Sequence, residues 1–373
     1  MLAQPPLWFI AIAFLCALGP LVVFHELGHY WVARWFGVGA EQFSVGFGRE
    51  VFGWTDKRGT RWKVGWLPLG GYVRFVGDMS PASQPGDADD LPPAVRSQSF
   101  HLKPVWQRFL IVLAGPVANF ILAIAIFAAF FVLVGVPSAS TEISKTIPGG
   151  AAAQAGLRAG DQIKSVAGNS VVSFNELRLV VMIRPGQRVP VEYIRDGQAH
   201  EVDVTIGSKE QTDEFGQKAN IGLLGVEAAT KPVPAVQAIP EATRYTVAIV
   251  RTTIVVIGQI ITGERSTKDL GGPLKMAQVA GQQASLGAFT FIYMIAFFSI
   301  NLGFINLLPV PLLDGGHLVF YAAEAVRRRP VSERSQEWAF RGGLALVLAL
   351  LLFLTFNDLA SFGLFERLGR LIG

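Results

Sequence analysis

Charged residues are scarce in this chain of 373 residues: Asp, Glu, Lys and Arg together make up 16% of it. A typical soluble protein carries about 25% of such residues. Because 51% of the chain is hydrophobic, the composition argues against an ordinary soluble protein and favours one that lies largely in a membrane. Cysteine is nearly absent as well. Since Cys16 stands alone, no intrachain disulfide framework can form.

Charge is missing altogether from four segments whose lengths approach the roughly 20 residues that span a bilayer. They are Leu7–Phe24, Phe109–Ser140, Ser285–Leu313 and Gly342–Asn357. No Lys or Arg precedes the first segment, as one would in a cleaved signal peptide. We therefore expect it to be retained as a helix.

Basic residues predict the topology of these four segments. The loop after the first segment holds ten basic residues between Arg34 and Arg108, and Arg327–Arg329 precede the last segment. Four spans place both loops on the cytoplasmic side, which the positive-inside rule favours. A fifth apolar stretch, Thr246–Thr262, is interrupted by Arg251, and a span there would move Arg327–Arg329 outside. We therefore predict that it is an amphipathic surface helix and that both termini lie outside the cytoplasm.

A metal-binding pattern follows the first apolar segment directly. His25 and His29 are four residues apart, so a helix presents both imidazoles on one face. Glu26 lies beside them and can act as the general base for a metal-activated water. The alternative, two histidines that merely pack in a helical bundle, is disfavoured because ionisable groups in or beside a bilayer are costly.

A third ligand is needed because two histidines fill only half of a tetrahedral site. Pro309 and Pro311 break the third apolar segment just before Asp314, whose carboxylate lies at the same predicted depth as His29. Asp314 is therefore the predicted third ligand. Two alternatives stay open: Asp314 is a helix-end residue that faces water, or His317 is the ligand instead.

Paired in this order, HELGH at 25–29 and NLLPVPLLDGG at 306–316 resemble the site-2 protease family of intramembrane zinc metalloproteases, in particular its regulator-of-sigma-E branch. The resemblance extends to LAGPVANF at 113–120 and Gly271–Pro273. It implies that His25, His29 and Asp314 hold Zn²⁺ and that Glu26 activates water. It also implies that Asn306 and Asn119 help to position substrate, although both asparagines can instead form interhelical hydrogen bonds.

The segment between the second and third apolar segments has a different pattern. It contains IPGGAA at 147–152, AGLRAGDQI at 155–163 and β-branched clusters separated by Gly168 and Gly197. This resembles a circularly permuted bacterial PDZ domain, a fold that binds extended peptides along a sheet edge. The run 221–226 is its candidate binding strand, with Ile221, Gly222 and Leu223 as the candidate binding residues; the alternative is an ordinary core strand with a turn. Relatives often carry two such domains, whereas this length allows one.

The loop after the metal motif predicts a β-hairpin. Phe43–Trp54 and Thr60–Phe75 are rich in Val, Phe and Trp, and a polar turn joins them. We expect the hairpin to pack on the helical bundle or dip towards the membrane, either as a clamp for an unwound substrate or as a lid. Asp78–Pro104 reads as a flexible surface connection and Lys231–Pro234 as an extended linker.

The predicted fold is thus a polytopic α-helical membrane protein with about four transmembrane helices, a cytoplasmic membrane-associated β-hairpin and one extracytoplasmic PDZ domain of β-rich α+β type. The predicted ranges are 1–36 (first span), 37–106 (hairpin loop), 107–136 (second span), 137–228 (PDZ domain), 229–284 (linker and surface helix), 285–320 (third span), 321–337 (basic loop) and 338–373 (fourth span and tail).

The resemblance implies an intramembrane zinc metalloendopeptidase of the bacterial inner membrane, with the PDZ domain in the periplasm. Its expected partners are single-span membrane proteins such as an anti-sigma factor, signal-peptide remnants and membrane lipid. No nucleic-acid partner is expected, because no binding module is present and the net charge of +4 suits membrane loops. The alternatives are a non-catalytic membrane adaptor that captures peptide C-termini, and a metal transporter.

Overall fold

The computed structural model describes residues 5–77, 96–137, 141–172, 174–212, 218–228, 230–231, 233–263 and 271–361. Contacts divide the chain into two compact units. Unit 1 comprises Met1–Phe127 and Glu241–Gly373, and unit 2 comprises Ala128–Pro240. Most of the predicted connection Asp78–Pro104 lies outside the described residues.

Unit 1 contains the long helices and one hairpin. Its elements are α1 (Leu7–Trp35), β1 (Ala40–Thr55), β2 (Arg61–Phe75), α2 (Val105–Leu133), α5 (Ala235–Thr262), α6 (Pro273–Leu286), α7 (Ala288–Asn306), α8 (Asp314–Arg327) and α9 (Glu333–Ser361). Helices α2 and α5 cross the boundary to unit 2. The predicted basic loop 321–337 is shorter than expected, because α8 continues to Arg327 and α9 begins at Glu333.

In the described part of the chain, five helices are long and apolar enough to cross a membrane, judged by length and composition. Four of them, α1, α2, α7 and α9, match the four predicted spans. The fifth is α5, which begins at Ala235 and has a mean hydropathy of 1.6, lower than that of the other four. It contains the stretch that we predicted to be a surface helix, and this placement stays a prediction.

Small residues allow the helices of unit 1 to approach one another closely. A Cβ on Gly28 of α1 would collide with the carbonyl oxygen of Ala114 on α2 and lie 2.8 Å from Ala118. On another part of α1, Ala13 and Ala17 pack against Ala280 of α6. Such contacts are typical of membrane helices, which associate by close packing rather than by the hydrophobic effect. The α1–α2 crossing at Gly28 lies directly beside the metal motif.

The predicted hairpin is present, but it curls into a sheet of four segments. Phe43 in the first half of β1 pairs with Val73 on one side and with Trp62 on the other, and Trp62 also pairs with Trp54. The lateral order is therefore 71–75, 40–45, 61–64, 52–55. Glycines at positive φ (Gly46, Gly48 and Gly70) permit the sharp bends that this curl requires. Among the described residues, segment 71–75 pairs with β1 along one side, which makes it an edge.

Unit 2 is a small α+β unit with its own core. Its elements are β3 (Val136–Pro137), β4 (Ile143–Thr146), α3 (Ala151–Gln154), β5 (Gln162–Val166), β6 (Asn169–Ser170), α4 (Phe174–Met182), β7 (Arg188–Arg195), β8 (Gln198–Thr205), β9 (Gly207–Thr212), β10 (Lys218–Leu223), β11 (Val226–Ala228) and β12 (Thr230–Lys231). Strands pair in the orders β6-β5-β7-β8, β10-β9, β11-β4 and β12-β3. Alternate residues of β7 point inward, so Val189, Val191 and Tyr193 join the core.

Two of the predicted features of unit 2 differ in the structure. The run 221–226 was predicted as one strand, but β10 ends at Leu223 and β11 begins at Val226. Gly225 separates them because its φ of 76° turns the chain away from extended geometry. The predicted extended linker begins instead with β12, which pairs with β3 at Lys231 and Val136.

An ion pair inside unit 2 predicts how its stability depends on pH. Asp161 accepts hydrogen bonds from Arg195 Nε at 2.7 Å, Arg195 Nη2 at 2.8 Å and the backbone N–H of Arg158 at 2.7 Å. Burial raises the pKa of the Asp161 carboxyl, but these hydrogen bonds outweigh it, and the pKa lies below its usual range. The stabilisation is therefore fully present above the unfolded pKa of about 4 and is lost as pH falls through the lower folded value.

We predict that Asp161→Asn destabilises unit 2 at neutral pH and flattens the loss of stability on acidification below about pH 4. Hydrogen exchange of the β5 and β7 amides in the full chain measures this. Asp203→Asn is a matched control, because the Arg188–Asp203 bridge is 73% and 53% exposed and such bridges contribute little. Equal effects of the two substitutions would contradict the prediction.

Candidate metal centre

Helix α1 presents two imidazoles on one face. His25 and His29 are each 8% exposed, and their Nε2 atoms lie 3.2 Å apart. The four-residue spacing places them one turn apart, as the sequence predicts. Two ligand atoms therefore face the same small volume.

The break after α7 brings a carboxylate to these histidines. Pro309 and Pro311 end the helical path, and Leu312 takes a φ of 106°, a conformation that is unusual for a bulky residue. Helix α8 then begins at Asp314, whose Oδ2 lies 3.1 Å from His25 Nε2 and 3.5 Å from His29 Nε2. One ligand atom from each of the three side chains lies within 4.8 Å of the others.

The glycines after Asp314 explain how α8 can begin so close to the preceding loop. A Cβ on Gly315 would collide with the carbonyl oxygen of Leu308, and one on Gly316 would lie 2.5 Å from that of Val310. Glycine is thus required at both positions by close backbone approach rather than by a positive φ.

This donor set fits Zn²⁺. Two imidazole nitrogens and a carboxylate oxygen are ligands that zinc prefers, and a catalytic zinc site uses three protein ligands with the fourth position open. The Asp314 Oδ2 atom is buried, and among the described residues it makes no conventional hydrogen bond. A buried charge with no hydrogen bond is costly, and a bound cation removes that cost.

Helix α2 supports the outer side of both imidazoles. His29 Nδ1 lies 2.9 Å from the carbonyl oxygen of Ile111, so Nδ1–H donates and Nε2 keeps its lone pair. Gly115 lies under the same ring, and a Cβ there would collide with His29 Nε2. His25 Nδ1 lies 3.1 Å from the amide of Asn119.

The predicted general base lies beside the edge of the curled hairpin. The carboxylate of Glu26 lies close to the backbone N–H of Val73 on β2. A Cβ on Gly71 would lie 3.3 Å from Cγ of Glu26 and 2.7 Å from Val22. The hairpin edge therefore borders Glu26 through backbone atoms and a residue that has no side chain.

A cavity of about 470 Å³ is lined by the three candidate ligands, by Glu26 and by two further candidates. Asn306 lines it, with Nδ2 at 3.5 Å from His25 Nε2. His317 also lines it, and its ring lies 5.2 Å from that of Phe340. His317 is not in the cluster of converging ligand atoms, which among the described residues consists of His25, His29 and Asp314.

The asparagines thus have different surroundings. Asn306 faces the cavity, whereas Asn119 is fully buried on the side of the His25 ring that points away from Asp314. Sequence reasoning did not separate the two. It also missed Gly115 and Val73. The sequence did contain a signal for Gly115. Gly115 and Asn119 are four residues apart, as His25 and His29 are, so each pair lies on one face of its helix.

The candidate peptide-binding residues lie in unit 2 on β10. Strand β10 pairs with β9 through Ile221, Gly222 and Leu223. Helix α4 packs directly on β10, since a Cβ on Gly222 would collide with the carbonyl oxygen of Val181. Leu223 is 42% exposed.

Solved structures resemble part of the chain. The PDZ domain of an SdrC-like protein from Listeria monocytogenes covers 26% of this chain and 94% of its own, with 21% identity and a TM-score of 0.20. A solution structure from Geobacillus thermodenitrificans covers 19% of this chain and 80% of its own, with 27% identity and a TM-score of 0.17. The fold of unit 2 is therefore described by its own strands and helices.

Relatives in sequence cover nearly the whole chain. A protein provisionally named as a zinc metalloprotease from Agrobacterium fabrum is 40% identical over 359 residues, covering 94% of this chain and 95% of the relative. Metalloprotease MmpA from Caulobacter vibrioides is 38% identical over 388 residues, covering 96% and 98%. The model of peptidase family M50 matches residues 13–350, which confirms the resemblance to the site-2 proteases. The chain therefore belongs to peptidase family M50.

Proposed function

We propose that this chain is an intramembrane zinc metalloendopeptidase that cuts the membrane-spanning segments of single-span proteins. Membership of family M50 makes it a metalloprotease that uses Zn²⁺. The observation that carries the intramembrane proposal is the convergence of His25, His29 and Asp314, since α1 is long and apolar enough to cross a membrane. A polar site on such a helix needs a function to justify its cost.

In this proposal, His25 Nε2, His29 Nε2 and the Asp314 carboxylate would hold Zn²⁺. Zn²⁺ supplies Lewis-acid chemistry there, because it acidifies water and polarises a peptide carbonyl. The surrounding cavity is lined by polar groups among apolar ones, so it can keep water available at membrane depth.

Glu26 is the proposed general base. It lines the same cavity as the three ligands and follows His25 directly in α1. It takes a proton from the attacking water and later donates it to the leaving amine. In this proposal the Val73 amide, which lies close to the Glu26 carboxylate, donates a hydrogen bond to it, orients it and leaves its other lone pairs available.

The curled hairpin is the proposed substrate clamp. A spanning helix hides its amides in its own hydrogen bonds and must unwind before it can be cut. Segment 71–75 of β2 is a sheet edge that borders the cavity through Gly71, Tyr72 and Val73, and an extended peptide can add to such an edge. Exposed apolar side chains on the hairpin suit a membrane surface. They are Val51, Phe52, Trp54 and Trp66.

Unit 2 is the proposed PDZ domain, located in the periplasm of a bacterial inner-membrane protein. Its order of short strands around α4, with β10 between β9 and that helix, supports peptide binding near Ile221, Gly222 and Leu223. The proposed substrates are an anti-sigma factor of an envelope-stress response and signal-peptide remnants. Four spans with both termini outside the cytoplasm follow from the basic loops.

We predict that Glu26→Gln retains zinc but cleaves a tagged single-span substrate at least ~10²-fold more slowly, because the amide cannot accept the proton. Cleavage by purified protein in detergent is measured alongside zinc per chain. The wild type treated with a zinc chelator is the matched control. Chelator-sensitive cleavage at the wild-type rate by Glu26→Gln would refute the role of Glu26. No chelator effect on the wild type would refute the metalloprotease.

We predict that Asp314→Ala weakens zinc binding by more than the ~10- to 100-fold that is typical for the loss of an outer hydrogen-bond partner, because it removes a direct ligand. His317→Ala is the control and is expected to keep its zinc, since His317 lines the cavity outside the ligand cluster. Zinc content after dialysis measures both. The reverse pattern would identify His317 as the third ligand.

We predict that Asn306→Leu raises KM roughly 3- to 10-fold and leaves zinc content unchanged, because it removes about one neutral hydrogen bond to substrate. Asn301→Leu is a matched control on the same helix, where the side chain donates to the carbonyl oxygen of Phe297 at 2.9 Å. Steady-state cleavage kinetics measure the effect. A lower zinc content in Asn306→Leu with unchanged KM would place Asn306 in the metal site instead.

A further inference from the structure

The buried side-chain amide of Asn119 contacts His25, one of the three candidate metal ligands. Its side chain is fully buried on α2, and its Nδ2 lies 3.1 Å from Nδ1 of His25. Among the described residues, the Oδ1 atom of Asn119 has no hydrogen-bond partner. The polar contact that the structure shows for this side chain is therefore with an imidazole of the candidate metal centre.

The protonation of the His25 imidazole determines whether Oδ1 or Nδ2 of Asn119 should face its Nδ1 atom. A neutral imidazole carries one proton, and a nitrogen that binds a metal must offer its lone pair. The Nε2 atom of His25 faces Asp314, so Nδ1 must carry the proton when metal is bound. That Nδ1–H needs an acceptor. A half-turn of the Asn119 amide exchanges its two ends and presents Oδ1 to Nδ1–H.

The two histidines are supported by α2 in parallel ways. His29 Nδ1–H donates to the carbonyl oxygen of Ile111 at 2.9 Å, which orients its Nε2 towards the same point. His25 lies one turn away, opposite Asn119, where the structure offers a side-chain amide instead of a carbonyl. Metal-binding histidines generally have such a partner on the second nitrogen.

Packing around Asn119 disfavours contact with substrate. Its main-chain carbonyl oxygen accepts a hydrogen bond from Ser299 Oγ at 2.8 Å, and a Cβ on Gly303 would lie 3.4 Å from its Cβ. Helix α7 therefore covers Asn119 on one side while His25 contacts its amide. A peptide in the cavity meets Nε2 of His25 before it could meet Asn119.

We propose that Asn119 is a positioning residue of the metal centre: it accepts a hydrogen bond from Nδ1–H of His25 and so directs the Nε2 lone pair at zinc, without contacting substrate. This inference rests on the proposed zinc site. It replaces the expectation that Asn119, like Asn306, positions substrate.

The test is the zinc affinity of the full-length protein in detergent, measured by competition with a chromophoric chelator. Asn119→Leu keeps the branching at Cγ but removes the acceptor, and we expect zinc affinity to fall ~10- to 100-fold. Asn119→Ala carries the same expectation if the Leu variant does not fold. Asn119→Asp keeps an acceptor facing Nδ1–H, and we expect it to bind zinc about as tightly as the wild type.

Ser299→Ala is the control for packing, because it loosens the α2–α7 contact at Asn119 without touching His25. We expect its zinc affinity to equal that of the wild type. Thermal unfolding of each metal-free variant shows that it is folded. Wild-type zinc affinity in a folded Leu or Ala variant overturns the inference, and a raised KM in that variant would return Asn119 to substrate binding. Weak binding by a folded Asn119→Asp also overturns it. A wild type that binds no zinc would instead overturn the proposed function.

Discussion

Three electron-rich atoms meet in the helical unit: Nε2 of His25, Nε2 of His29 and Oδ2 of Asp314. At separations of 3.1 to 3.5 Å in a low-dielectric setting, they are held together at a cost unless a proton or a cation lies among them. Several features of the fold bring these three atoms together. Gly28 lets α2 approach α1, and the proline break lets Asp314 turn inward. A bound cation that prefers nitrogen and oxygen ligands offsets the electrostatic cost of bringing these atoms together.

The α1–α2 contact shows how helix packing and ligand orientation depend on each other. Gly28 brings the main chain of α2 close enough for the carbonyl of Ile111 to reach His29, and Gly115 leaves room for the imidazole ring itself. A larger residue at either glycine would separate the helices and remove the partner of His29 Nδ1. The supporting hydrogen bonds are thus a consequence of the same small residues that hold the two helices together.

The sequence was sufficient to predict the parts that depend on local spacing. A four-residue interval on a helix determines that His25 and His29 share a face, and apolar length determines α1, α2, α7 and α9. It could not predict the curl of the hairpin, because alternation in β1 is the same whether Phe43 pairs with Val73, with Trp62 or with both. Nor could it separate Asn119 from Asn306, since both occur on apolar helices and their surroundings are tertiary.

The curl gives segments 40–45 and 61–64 a neighbour on both sides, so neither can accept another strand. Segment 71–75 keeps an open side, and the amide of Val73 on that edge lies close to the Glu26 carboxylate. In the proposed mechanism, a substrate strand that adds to the edge would pair with groups next to that amide. Binding an extended peptide and orienting the general base would then use one stretch of backbone. A helical segment offers no free backbone groups to such an edge, so the site would select for substrate that has already unwound.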